Sequence, residues 1–165
     1  MNIREETPAD LSVIRQIVDD AFVGAEHSDG TEGQIVEKLR AAGALTLSLV
    51  GEEAGQVVGH VAFSPVRIGP QSTGWFGLGP VAVRPDRQAG GIGARLIEAG
   101  LAQLRQQGAM GCVVLGDPAY YQRFGFRADP QVQFEGVPPE YFMQLTFAGA
   151  TPAGAALYHA AFYPE

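Results

Sequence analysis

Leu11, Ile14, Val18 and Phe22 recur at helical spacing and draw one apolar stripe along a first helix. Thr7 caps its start, with Pro8 at the first helical position and Asp10 at the third. A short strand, Ile3-Arg4-Glu5-Glu6, precedes it. A polar break at residues 25–30 follows, and a second helix is predicted from Thr31 to Ala42, stopping at Gly43. Leu45, Leu47 and Leu49 alternate with Thr46 and Ser48, which is the period of a strand. Glu52 to Gly55 reads as a turn, and the valine-rich stretch Gln56 to Ser64 as the partner strand of a hairpin. After a second turn at Gly69–Thr73, a long strand runs from Trp75 to Val83. Proline cannot donate a ladder hydrogen bond, so Gly79-Pro80 should splay or bulge that strand.

Arg84 to Gly91 is a loop, and the helix beyond it carries Ile97, Leu101 and Leu104 on one face and ends at Gly108. Cys112 to Leu115 is apolar throughout, like a strand buried on both faces. Pro118 to Phe124 can form a short helix closed by Gly125. Extended segments follow at Phe126–Phe134 and Phe142–Phe147, with a last strand at Ala156–Phe162. A helical crossover between the Trp75 and Cys112 strands makes that pair parallel. The expected fold is therefore α/β: a mixed, mostly antiparallel sheet, splayed between its fourth and fifth strands and flanked by helices. With 165 residues and no linker or repeat in view, one domain over 1–165 is expected.

Charge narrows the partners. A net charge of −7 and a single lysine, Lys38, argue against a nonspecific grip on nucleic acid. No apolar run reaches about 18 residues, and no basic stretch precedes an apolar block at the N-terminus, so neither a membrane span nor a signal peptide is expected. One cysteine, Cys112, precludes an internal disulfide and a thiolate cluster, which fits a cytoplasmic protein. Few histidines and no clustered carboxylates speak against a metal site.

The densest chemical signal is Val81-Ala82-Val83-Arg84-Pro85-Asp86-Arg87-Gln88-Ala89-Gly90-Gly91-Ile92-Gly93-Ala94. A strand leads into a glycine loop and the loop into a helix, whose first amides lack backbone partners and sit at the positive end of its dipole. That arrangement suits a phosphate or pyrophosphate; the plain alternative is a turn that only starts a helix. A Walker loop needs Lys and then Ser or Thr where Ala94 and Arg95 stand, and a dinucleotide fingerprint needs glycine where Leu96 stands. The pattern Gln-x-x-Gly-x-Gly, met by Gln88, Gly91 and Gly93, resembles the pyrophosphate loop of the GNAT superfamily of acyl-CoA N-acyltransferases, as does the Val-x-Val-x-Pro lead-in from Val81 to Pro85. Ala119-Tyr120-Tyr121-Gln122-Arg123-Phe124-Gly125-Phe126 is similar to the short helix after that family's fifth strand. The resemblance runs from Ile3 to about Phe126.

What the resemblance implies is acetyl transfer from acetyl-CoA to an amine in a ternary complex, without a metal. Residues 81–83 and 88–94 would hold the cofactor. Tyr121 falls on the tyrosine that lies near the coenzyme A sulfur and can protonate the departing thiolate, whose parent thiol has a pKa of about 8.5. Tyr120 is expected to pack. Some members carry a glutamate base on the fourth strand; the matching position is Gly77. The loop after the first helix commonly lines the acceptor pocket, so Glu26, His27, Asp29 and Glu32 are acceptor-site candidates, with His60 a further candidate base that also reads as a satisfied sheet residue. Cys112, at the start of an apolar strand, reads as an inert buried thiol. Family members often dimerise, so a homodimer stays open. A non-catalytic acyl-CoA sensor is the competing reading, kept alive by the missing base at Gly77.

Overall fold

The computed structural model describes residues 1–25 and 28–163. The chain divides into two compact units, Met1–Phe63 with Gly79–Gly100, and Ser64–Leu78 with Leu101–Glu165. The strands are β1 (Asn2–Glu5), β2 (Leu47–Glu53), β3 (Gln56–Ile68), β4 (Trp75–Val83), β5 (Gly111–Leu115), β6 (Val132–Gln133), β7 (Phe142–Thr146) and β8 (Gly154–Tyr158); the helices are α1 (Leu11–Phe22), α2 (Glu32–Ala41), α3 (Ile92–Gln106) and α4 (Pro118–Tyr121). Hydrogen-bonded neighbours run β1-β2-β3-β4-β5-β7, with β8 pairing β3 and β6. β4 and β5 are parallel, as the α3 crossover requires, and so are the short β6 and β8; the β1–β2, β2–β3, β5–β7 and β3–β8 pairs are antiparallel.

In the first unit, Thr7 begins the 3-10 turn Pro8–Asp10 that leads into α1, and its N–H donates to Asp10 Oδ2 at 2.7 Å. Arg4 grips the same carboxylate at 2.7 Å and reaches Glu52 at 2.9 Å, which ties β1, the turn and β2 together. The α1 stripe buries Ile14, Ile17 and Val18 against Val36, Val50, Val57 and Ala82. On the opposite sheet face α3 lies close: a Cβ on Gly59 would come within 2.9 Å of Leu96, and one on Gly100 within 2.2 Å of the Phe63 ring. The β2–β3 connection turns on Ala54 and Gly55, both with positive φ, which twists the hairpin tightly.

The second unit is built on Val66, Ile68, Trp75, Val113, Val132, Phe142 and Ala156. The register between β4 and β5 covers Trp75–Gly77 against Gly111–Val113 and does not extend to Gly79-Pro80, whose peptide bond is cis. The paired register thus ends at Gly77, three residues before the proline expected to splay the strand.

Four expectations shift. β3 continues to Ile68 instead of stopping near Ser64, because Val66 and Ile68 point inward between exposed Pro65 and Arg67 and β8 pairs alongside. β2 was expected to have a polar face, yet Leu47 through Gly51 are all buried. The extended stretch 126–134 keeps only β6 and an isolated bridge between Arg127 and Gln144. The last strand begins at Gly154 and ends at Tyr158, since the His159 side chain accepts the Ala161 N–H at 3.0 Å and starts the 3-10 turn Ala160–Phe162. Among the described residues no helix is long and apolar enough to cross a membrane.

Candidate active site

β4 ends at Val83 and the chain enters the glycine loop. Gln88 folds back so that its side-chain amide donates to Val83 O at 3.0 Å, which is why a glutamine opens the motif. Arg84 is held by Asp86 at 2.7 Å, and Arg87 by Glu53. Ala89 and Gly91 both have positive φ, 66° and 83°, so the loop coils tightly before the helix. The first α3 bond between i and i−4 runs from Arg95 N to Gly91 O at 3.1 Å. The amides of Ile92, Gly93 and Ala94 therefore precede the helical ladder. A Cβ on Gly91 would meet nothing within 4 Å, and α3 has no acidic residue in its first turn to compete for an anion. The loop is exposed, while Ala82 and Ile92, which anchor its two ends, are buried.

In the second unit, α4 starts at Asp117, whose carboxylate accepts the Ala119 N–H at 2.9 Å, and a 3-10 turn over Gln122–Phe124 ends at left-handed Gly125. Tyr121 packs edge-on against Phe126, and its ring fills the space beside Gly116, where a Cβ would lie 2.4 Å away. Burial pushes its phenol up to about 12, with Tyr120 adding to the shift. The Tyr121 hydroxyl is thus protonated at neutral pH, and it has no hydrogen-bond partner among the described residues. Tyr120 instead lies under the Arg123 guanidinium, 4.4 Å from its ring centre, and against Phe124.

Position 77 is glycine for a structural reason that the sequence did not expose. A Cβ there would lie 2.7 Å from Tyr158 Cε2 and 2.9 Å from Val66 Cγ2. The Tyr158 ring, contributed by β8, occupies the room a longer residue would need. Tyr158 also packs edge-on against Phe134. Phe134 lines a cavity of about 750 Å³ together with Val132, Val137 and Phe142, with Asp129 and Glu135 at its wall. The sequence places Tyr158 in a last strand, but nothing local shows that this strand would return to pair β3 and set the ring against Gly77.

Of the acceptor-site candidates, Glu26 and His27 lie outside the described residues. Asp29 accepts from Thr31 N–H at 3.1 Å and from its hydroxyl at 2.5 Å, and these bonds hold its carboxyl below the ordinary range. Glu32 accepts from Ser28 at 2.8 Å. Both carboxylates are engaged by the segment that leads into α2. Cys112 is fully buried, and burial pushes its thiol well above the usual range, leaving no thiolate at neutral pH. Among the described residues no group of three His, Cys, Asp or Glu could hold a metal ion.

His60 is fully buried and bonded to Ser48 Oγ at 2.7 Å through Nε2. Burial pushes its pKa down to about 4; the Glu6 carboxylate opposes that shift and the Arg40 guanidinium adds to it. An unfolded chain protonates its histidines near pH 6.5. Between about pH 6.5 and 4 the unfolded state therefore binds a proton that the native state refuses, and stability must fall as pH falls through that window. The expected loss is up to about 3 kcal/mol. Urea midpoints at pH 7 and pH 4.5 check it: His60→Gln should lose that part of the pH dependence, whatever its own cost at pH 7.

Residues 11–126 match the model of the acetyltransferase (GNAT) family. The uncharacterized N-acetyltransferase YhbS of Escherichia coli strain K12 is 40% identical over 127 residues, covering 76% of this chain and 73% of its own. A GNAT family acetyltransferase from Brucella melitensis, crystallised with acetyl-CoA, is 54% identical, with a TM-score of 0.88 over 98% of this chain and 97% of that one. The crystal structure of E. coli YhbS with CoA gives 32% identity and a TM-score of 0.83, covering 98% and 91%. On its sequence, its strand order and these likenesses, the chain belongs to the GNAT family of acetyltransferases.

Proposed function

We propose that the protein transfers an acetyl group from acetyl-CoA to an amine by direct attack in a ternary complex. The observation that carries this reading is the glycine loop: unladdered amides at the start of α3, open space over Gly91, and no competing carboxylate. The Brucella relative was crystallised with acetyl-CoA and YhbS with CoA, and both resemble this chain over nearly its whole length. In this reading the amides of residues 91–94 and the loop backbone from Gln88 bind the pyrophosphate. Backbone amides at Val81–Val83, beyond the stretch of β4 in register with β5, hold the acetyl carbonyl and the charge that develops on it. Tyr121 donates its phenolic proton to sulfur as the C–S bond breaks. The acceptor enters at the cavity beside Phe134, whose aromatic floor and two carboxylates suit an amine with an apolar body.

A second reading, an acyl-CoA sensor without chemistry, draws on one observation: Gly77 offers no carboxylate. A thermal-shift titration with acetyl-CoA followed by a primary-amine panel, read through release of free thiol, separates the two. Both readings expect stabilisation by acetyl-CoA, which the loop alone should supply. Only the transferase reading expects amine-dependent thiol release, and a panel without any turnover would leave the sensor standing.

A further inference from the structure

The cavity beside Phe134 lies wholly within the second unit. Its volume, about 750 Å³, suits an organic molecule of drug size. Phe134 and Phe142 form its floor, their rings stacked with centres 5.4 Å apart, between Val132 and Val137. Phe142 and Val132 are buried, and Phe134 is half-buried. The charge on the wall has one sign. Asp129 and Glu135 line it, and among the described residues no Lys, Arg or His does so. Arg127, the nearest basic residue in sequence, is exposed and lies outside the lining. An apolar, aromatic floor under an all-negative wall complements a cation carried on an apolar body.

Asp129 is half-buried and held in place. Its Oδ1 accepts the Gln131 N–H at 2.9 Å, and its carbonyl accepts the Val132 N–H at 3.0 Å. Gln133 closes the same turn, its amide donating to Pro130 O at 3.3 Å. Asp129 Oδ2 and both oxygens of Glu135 have no protein partner among the described residues. Tyr158 extends the floor, packing edge-on against Phe134 with ring centres 5.5 Å apart. Burial pushes its phenol well above the usual range, with Cys112, Tyr163 and Tyr121 adding to the shift. The Tyr158 ring thus joins the cavity floor to the neighbourhood of Tyr121, within one unit.

We propose that the acceptor carries two basic groups on an apolar body, and that Asp129 and Glu135 hold the one that does not react. The inference rests on the transferase reading above. An amine attacks only as the neutral base. A free alkylammonium loses its proton near pH 10.4, and a carboxylate beside it raises that value further. A nitrogen held by Asp129 or Glu135 therefore stays cationic and has no lone pair to offer. The carboxylates select the acceptor instead of activating it. The body of the acceptor lies on Phe134 and Phe142, and the second nitrogen reaches beyond the floor toward Tyr121. That nitrogen, having lost its ammonium proton to solvent, forms the C–N bond as the C–S bond breaks. Its remaining surplus proton passes to solvent and replaces the one that Tyr121 gives to sulfur. The distant cation keeps its charge throughout.

Two amines of nearly one shape test this: para-xylylenediamine, which carries both basic groups, and para-methylbenzylamine, which carries one. Wild-type kcat/KM should favour the diamine about tenfold. Asp129→Asn keeps the oxygen that accepts from Gln131, so the turn persists, and removes the charge. It should raise KM for the diamine about tenfold at unchanged kcat, so that the preference collapses. Glu135 is exposed, and Glu135→Gln should cost about threefold. Glu140→Gln, exposed and outside the lining, should keep the preference. Benzyltrimethylammonium, a permanent cation that cannot be acetylated, gives a readout without turnover: calorimetry on the CoA-loaded protein should show binding that Asp129→Asn weakens about tenfold. Equal kcat/KM for the two amines in the wild type, or benzyltrimethylammonium affinity unchanged in Asp129→Asn, would overturn the proposal. So would a loss in Asp129→Asn that falls on kcat for both amines, which would make Asp129 the base. Turnover without preference removes only the second cation; acetyl-CoA binding with no turnover of any amine removes the transferase reading and the proposal with it.

Discussion

Tyr121→Phe should lower kcat for acetyl transfer by about a hundredfold to ten-thousandfold while leaving acetyl-CoA affinity nearly unchanged. The ring stays, so its edge contact with Phe126 and its packing over Gly116 survive. Only the hydroxyl goes. That hydroxyl is protonated at neutral pH because burial raises its pKa to about 12, so it is a ready donor and a poor base. A thiolate leaving group develops charge late in the reaction, and losing its proton source should appear in kcat rather than KM. Tyr120→Phe is the internal control: its ring is engaged by Arg123 and Phe124, and the substitution should be close to neutral. Steady-state kinetics with a working amine decides; equal behaviour of the two variants would reassign α4 to packing.

Gly91→Val should abolish acetyl-CoA binding in a protein that still folds. Gly91 has a φ of 83°, where valine is strained, and the loop would have to relax away from the geometry that presents the α3 amides. The space over Gly91 is open, so the side chain collides with nothing in the protein and instead takes the room proposed for the pyrophosphate. The loop is exposed and lies between the buried anchors Ala82 and Ile92, so local strain need not unfold the core. Calorimetric titration with acetyl-CoA checks the loss, and circular dichroism checks the fold. Unchanged affinity in a folded Gly91→Val protein would move the phosphate site elsewhere.

The strand, glycine loop and helix around Gln88 were legible because each residue there answers to local backbone physics: a cap, a left-handed turn, a helix start. The parallel β4–β5 pair followed from its helical crossover, while the end of its register at Gly77, before Pro80, did not. What stayed hidden depends on contacts distant in sequence. Ser48 looked like the outward residue of an alternating strand; it is buried because Glu6, 42 residues earlier, and His60 satisfy it. His60, read as a candidate base or a satisfied sheet residue, has one nitrogen bonded and the other bare. Tyr158 reaches Gly77 only because β8 returns to pair β3, a long-range pairing that the local pattern of the last forty residues did not specify.

The ring of Tyr158 against Gly77 also constrains how this enzyme can be remade. Grafting a glutamate at 77 would not add a base to the existing pocket, because its Cβ alone would lie 2.7 Å from that ring. A side chain at 77 requires a smaller residue at 158 and also room from Val66 on β3, whose Cγ2 would lie 2.9 Å from its Cβ. A single substitution at 77 therefore meets a clash, and a single truncation at 158 leaves a void beside Gly77. Redesign toward a carboxylate base therefore begins at 158, not at 77.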